Sequence, residues 1–284
     1  MKKLMFAAVA IAAGIAVADV TSANTVGYLN PANFRTSYTL FGPMFGDVGT
    51  QDEGSFTIDI QNIVPVGDNI PDGSSTANTI SIQKLNATGG TVSGTMLYWT
   101  NCNRKKGMSG TVFCHGWYPA TGTTPGSMSL VAGESLWTYF PEGVDCSLQF
   151  SGEVASGEVY KPLGQSYNAI CNPIPVTVDI QNVAPAALDP ADVPDGSSTA
   201  QTISVQKLTA TGGTVSGSML YWTNCNRKKG MSGTVFCHGW YPATGTTPGS
   251  MTLTAGEGLW AYSPNNKCSL VFPSAFATKD DVTE

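Results

Sequence analysis

Charge is scarce in this chain: Asp, Glu, Lys and Arg together make up 12% of its 284 residues. Histidine is scarcer still, with only His115 and His238. One histidine per repeat, with no carboxylate or nucleophile at a recognisable spacing, makes no catalytic triad and points away from an enzyme. Long apolar runs are missing beyond residue 17, so no later segment has the length of a membrane-spanning helix. An apolar stripe of helical period is missing as well. What remains is a chain rich in Thr, Ser and Gly, with 32 glycines.

Residues 1–18 read as a secretory signal. Lys2 and Lys3 form a positive start, residues 4–15 an apolar run, and Ala16-Val17-Ala18 a small-residue cleavage site ahead of Asp19. Cleavage leaves 12 basic against 20 acidic residues, a net charge of −8 where the full chain carries −6. Such an acidic chain has no general attraction for nucleic acid, whose binding rests on basic patches. Export, low charge and this composition fit a protein of the bacterial cell surface or extracellular space, with the periplasm also open to it. Seven cysteines in an exported chain imply an oxidising compartment and disulfides. Their odd number leaves at least one thiol free or paired with another chain.

The chain repeats itself. Residues 87–128 and 210–251 are the same tract, differing only at Thr95 and Ser218. The likeness extends outward: Asp59-Ile60-Gln61-Asn62 returns as Asp179-Ile180-Gln181-Asn182, and Pro71-Asp72-Gly73 as Pro194-Asp195-Gly196. Two copies are too few for a solenoid, which needs three or more, but each is long enough for a domain of its own. The expected organisation is one domain over 19–154, a second over 155–272, and a polar tail over 273–284.

Within each copy the hydrophobic period is two. Phe56, Ile58 and Ile60 alternate with Thr57 and Asp59, and Ile80 and Ile82 with Thr79, Ser81 and Gln83. Turn residues such as Gly89-Gly90, Thr124-Pro125-Gly126 and Pro141-Glu142-Gly143 separate such runs. The pattern predicts an all-β fold of about seven short strands per copy, a sandwich in preference to a small barrel.

The identical tract carries most of the distinctive chemistry. A hairpin of strands 96–102 and 111–118 would set Met96, Tyr98 and Cys102 on the face of Cys114 and Tyr118. Cys102 and Cys114 are then disulfide candidates, as are Cys225 and Cys237, although Cys114 with Cys146 is also compatible with the sequence. A zinc site of Cys102, Cys114, His115 and Cys146 has a plausible donor set but lacks the usual short Cys spacing. No cofactor is implied. Arg104, Lys105 and Lys106, with Arg227, Lys228 and Lys229, would crown the two hairpins. As solvated tips they guard an edge; as cationic knobs they suit an acidic partner, another copy of this acidic chain included.

Aromatic residues recur too: Trp99, Trp117, Trp137, Tyr98, Tyr118 and Tyr139 have six counterparts in the second copy. Most belong to the core of small β domains. Trp117 and Tyr118, beside Gly116 and Pro119, and their copies Trp240 and Tyr241, are the expected exposed rings, which would stack on sugar. Asp59, Asp72 and Glu134, with Asp179, Asp195 and Glu257, would make an acid/base pair only by coincidence of folding. The Pro-Asp-Gly pieces read as turns.

Residues 37–43, Gly116-Trp117, residues 132–137 and residues 148–154 resemble an uncharacterised repeat in exported proteins of Verrucomicrobia-like bacteria. In those proteins a Gly-Glu-Gly strand with aromatics precedes an apolar strand ending in Gly-Glu-Val. Asn24-Thr25-Val26-Gly27-Tyr28 is similar to their mature start. The resemblance implies export and β repeats and brings no activity; the cysteines and the Arg-Lys-Lys loops depart from it. Taken together, the sequence points to a non-enzymatic surface or extracellular assembly protein, whose partners are itself, other surface proteins, or acidic or neutral polysaccharide. The alternative is a bivalent carbohydrate binder.

Overall fold

The computed structural model describes residues 26–29, 37–46, 56–71, 73, 78–86, 94–100, 115–194, 196, 199–207, 217–223, 238–244 and 247–275. Their regular structure is β throughout, broken only by three-residue 3-10 turns. The first half contains β1 (Val26–Leu29), β2 (Ser37–Phe41), β3 (Thr57–Asp59), β4 (Val64–Gly67), β5 (Ser81–Lys84), β6 (Met96–Trp99), β7 (Gly116–Pro119), β8 (Ser129–Val131), β9 (Leu136–Phe140) and β10 (Cys146–Glu153). The second contains β11 (Val159–Pro162), β12 (Ser166–Cys171), β13 (Val178–Asp179), β14 (Ala184–Ala187), β15 (Ser204–Lys207), β16 (Met219–Trp222), β17 (Gly239–Pro242), β18 (Thr252–Leu253), β19 (Gly258–Ser263) and β20 (Cys268–Phe272).

Each half builds the same three antiparallel sheets. In the first these are β2-β9-β5-β6-β7, β1-β10-β4 and β3-β8; in the second they are β12-β19-β15-β16-β17, β11-β20-β14 and β13-β18. Alternation explains the inward faces. Along β9, Leu136, Thr138 and Phe140 are buried while Trp137 and Tyr139 stay half-buried. One core in the first half gathers Ile58, Ile82, Tyr98, Trp117, Leu130, Leu148 and Phe150, from all three sheets. Its counterpart gathers Ile180, Val205, Trp240, Leu253, Leu270 and Phe272.

Two expectations need correction. The described strands number ten in each half, because several are only two to four residues long; β4 and β14 also carry Pro65 and Pro185, which sequence patterns read as strand breakers. A proline fits there because both are edge strands. The hairpin's facing also differs. Tyr98 lies opposite Trp117 and Leu97 opposite Tyr118, so Trp117, and not Tyr118, shares the face of Met96 and Tyr98.

Candidate functional site

In the first half a geometry that the second repeats begins at Asp59, ahead of the identical tract. This residue ends β3, caps the following 3-10 turn by accepting from Gln61 N at 2.8 Å, and takes a second hydrogen bond from the Ser127 hydroxyl. That cap fixes Gln61, whose amide faces the outer edge of β7. Gln61 Nε2 donates to the Trp117 carbonyl at 2.8 Å and also to the Gly126 carbonyl, while Trp117 N donates back to Gln61 Oε1 at 3.1 Å. The second half repeats every contact. Gln181 exchanges bonds of 2.7 and 3.1 Å with Trp240, and Asp179 accepts from Gln181 N and the Ser250 hydroxyl. Asp59 and Asp179, candidates for acid/base work from sequence, are thus turn caps.

The tryptophans are anchors. Trp117 and Trp240 have no exposed surface, and their indole N–H groups donate to the carbonyls of Ile63 at 2.7 Å and Val183 at 2.6 Å. Tyr98 meets Trp117 edge-on with ring centroids 5.1 Å apart, and Tyr221 meets Trp240 at the same distance. On the opposite face Tyr118, also buried, packs with Trp99. The Pro71–Gly73 corner lies against that tryptophan: Gly73 adopts φ +77°, and a Cβ there would fall 2.8 Å from the Trp99 ring.

The expectation that Trp117, Tyr118, Trp240 and Tyr241 are exposed platforms is therefore wrong. Gly116 and Pro119 belong to β7, a strand covered on both faces, and not to a loop. The half-buried rings are instead Trp137 and Tyr139 on β9 and Trp260 and Tyr262 on β19, with Trp137 and Trp260 packed against a small apolar cluster between the halves. Tyr167 is 56% exposed and meets Tyr262 in a tilted ring contact, with centroids 5.2 Å apart. Their placement at alternate positions of β9 and β19 was the signal available in the sequence.

Glu134 and Glu257 also have structural duties. Each accepts from a backbone N–H at the head of its own turn, at 3.0 Å from Val131 and 2.9 Å from Thr254, and pairs with Lys84 at 2.9 Å or Lys207 at 2.8 Å. Among the described residues no group of three His, Cys, Asp or Glu side chains comes together. His115 and His238 are exposed. Arg104, Lys105, Lys106, Arg227, Lys228 and Lys229 lie outside the described residues, as do Cys102, Cys114, Cys225 and Cys237.

Cys146, Cys171 and Cys268 are free thiols; the alternative pairing of Cys114 with Cys146 involves a residue outside the described ones. Burial pushes the Cys171 thiol up to about 12 against the lowering pull of the Ser135 hydroxyl and the Lys161 ammonium. Burial, aided by Asp145, raises Cys146 to about 11. Neither is a poised nucleophile.

Cys171 lies where the halves meet, and that seam is reciprocal. Phe41, at the end of β2, bridges to Glu257 of the second half; Ile170, its counterpart on β12, bridges to Glu134 of the first. Gly42 N donates to the Gly256 carbonyl at 3.0 Å, and Cys171 N donates to the Gly133 carbonyl at 3.1 Å. Leu40, Leu85 and Cys171 form a small apolar cluster there, lined by Trp137 and Trp260. Lys161, which follows the connection between the halves, reaches back to the Ala132 carbonyl at 2.6 Å. Its pKa is lowered, chiefly by burial. Equivalent pieces thus exchange equivalent contacts, as in an isologous dimer.

No protein-family model matches the chain, and no curated protein matches it.

Proposed function

We propose that this is an exported, non-enzymatic assembly protein of the bacterial cell surface or extracellular space, built of two homologous β domains. The reciprocal seam carries the reading: it joins the halves into one body that presents each duplicated feature twice. The repeated polar residues described above are engaged in caps, edges and turns, which is the economy of a scaffold. The Arg-Lys-Lys tips are the contact points the reading assigns to acidic neighbours, other copies included, and the pairs Cys102–Cys114 and Cys225–Cys237 are the disulfides it assigns. The likeness to exported repeat proteins supports the location. Fractionating cells that make the full chain tests it: the protein should start at Asp19 and resist extraction from the surface or medium as single chains. A cytoplasmic, unprocessed chain contradicts it.

A second reading, a carbohydrate binder, is favoured by the exposed Tyr167, whose ring meets that of Tyr262 at a 56° tilt beside Trp260. Such a strip carries no charge and suits a neutral sugar face. Under this reading Tyr167→Ala abolishes retention on a neutral polysaccharide column. Unchanged retention, or none by the parent protein, removes it.

A further inference from the structure

The seam sorts its partners by size. Gly42 and Cys171 occupy equivalent positions and meet across it: a Cβ on Gly42 would fall 2.6 Å from Cys171 Cβ on the far side, and 2.3 Å from the Glu134 carbonyl oxygen of its own half. Only one of the two positions has room for a side chain. A little further along, a Cβ on Gly258 would fall 2.5 Å from Leu40 Cδ2. The counterpart of Leu40 in the second half is Ala169, and the counterpart of Gly258 in the first half is Ser135.

These pairs discriminate. Two first halves brought together would drive Leu40 into Ser135, where no glycine makes room, and would leave a void between two copies of Gly42. Two second halves would crowd two Cys171 side chains into the place of one and leave Ala169 short of Gly258. Overpacking and voids in a close-packed contact each cost stability. The seam therefore accepts a first half against a second half and rejects both like pairings.

Nothing in that code requires the two halves to belong to one chain. β10 ends at Glu153 and β11 begins at Val159, so five residues connect them. Extended, they span at most about 17 Å. Exchange of whole units between chains across such a connection re-forms every seam contact, so it costs little.

We propose that this seam is also where a second copy of the chain docks, each copy's first half closing on the other's second half. The proposal rests on the assembly reading and names its contact. Ser135 Oγ lies 3.6 Å from Cys171 Sγ across the seam, which supplies a reporter. Chains carrying Ser135→Cys and Cys171→Ala are labelled with 15N, mixed with unlabelled wild-type protein, concentrated and gently oxidised. The expected product is a disulfide between position 135 of a heavy chain and Cys171 of a light one, found by mass spectrometry in the oligomer fraction. Ser135→Cys alone supplies the same-chain link as the control for chemistry. Deleting residues 155–157, which hinders closure within a chain, should shift the protein to dimers. If oligomers form but the heavy–light link is absent while the control link appears, the seam proposal is overturned and the assembly reading stands. If no oligomer forms at any concentration, both fall.

Discussion

Gln61 and Trp117 exchange two hydrogen bonds, amide to backbone, as a neighbouring strand residue would. β7 is the last strand of its sheet, and an open edge invites pairing with other chains. The Gln61 side chain occupies that edge from the side, held there by the Asp59 cap. Gln61→Ala leaves the Trp117 N–H and the Gly126 carbonyl to be resolvated or left unsatisfied, while the Trp117 carbonyl keeps its bond from Gly126 N; the loss is about 1–3 kcal/mol. Gln181→Ala should cost the same, since its contacts match bond for bond. Urea midpoints measure both; a negligible change in either contradicts the assigned role.

Trp117 is predicted to matter for stability and not for ligand contact. Trp117→Phe keeps a ring in the core but strands the Ile63 carbonyl that accepts from the indole, a cost of about 1–3 kcal/mol. Denaturation monitored by circular dichroism checks it. Wild-type stability in this variant would mean that the indole is not anchored as described.

One change should strengthen the fold. Thr138 is fully buried in β9, and neither its hydroxyl nor that of Thr39, opposite it in register, has a hydrogen-bond partner. The second half has Ala261 at the position of Thr138. Thr138→Val removes an unsatisfied hydroxyl at nearly constant shape and should add about 1 kcal/mol. A lower melting temperature would refute the assignment.

The thiols should separate by location. At pH 8 an alkylating reagent is expected to reach half-buried Cys146 slowly and to spare Cys171 and Cys268 until the chain is unfolded, read residue by residue by mass spectrometry. The pH dependence has a definite sign. In the folded chain Cys171 titrates near 12, against 9.0 for an ordinary thiol. Its contribution to stability is present below pH 9 and is lost as pH rises from there toward 12, because the unfolded chain ionises first. The stability gap between wild type and Cys171→Ala should therefore narrow above pH 9. A gap that widens would be inconsistent with a buried neutral thiol.

The all-β character was legible from the sequence because period-two runs such as Phe56–Ile60 sit between strong turn residues. The short strands were not, since β13 and β18 hold two residues each and β4 begins Val64-Pro65. Trp117 and Tyr118 misled because the neighbouring Gly116 and Pro119 suggested exposed rings at a strand end; only their burial beside β6 shows that both are covered. The role of Gln61 left a fainter trace. Asp59-x-Gln61 and Asp179-x-Gln181 persist outside the identical tract, yet they act on strands 56 and 59 residues further on. The seam was hidden because its specificity lies in departures from the repeat, Gly42 for Cys171 and Ser135 for Gly258, which pattern matching discards as drift.

The central claim is that duplication built a self-associating scaffold. Light scattering on the processed protein over a wide concentration range, with and without reductant, tests it most directly. The account predicts a mass that climbs to at least two chains as concentration rises. A single-chain mass at every concentration would contradict it.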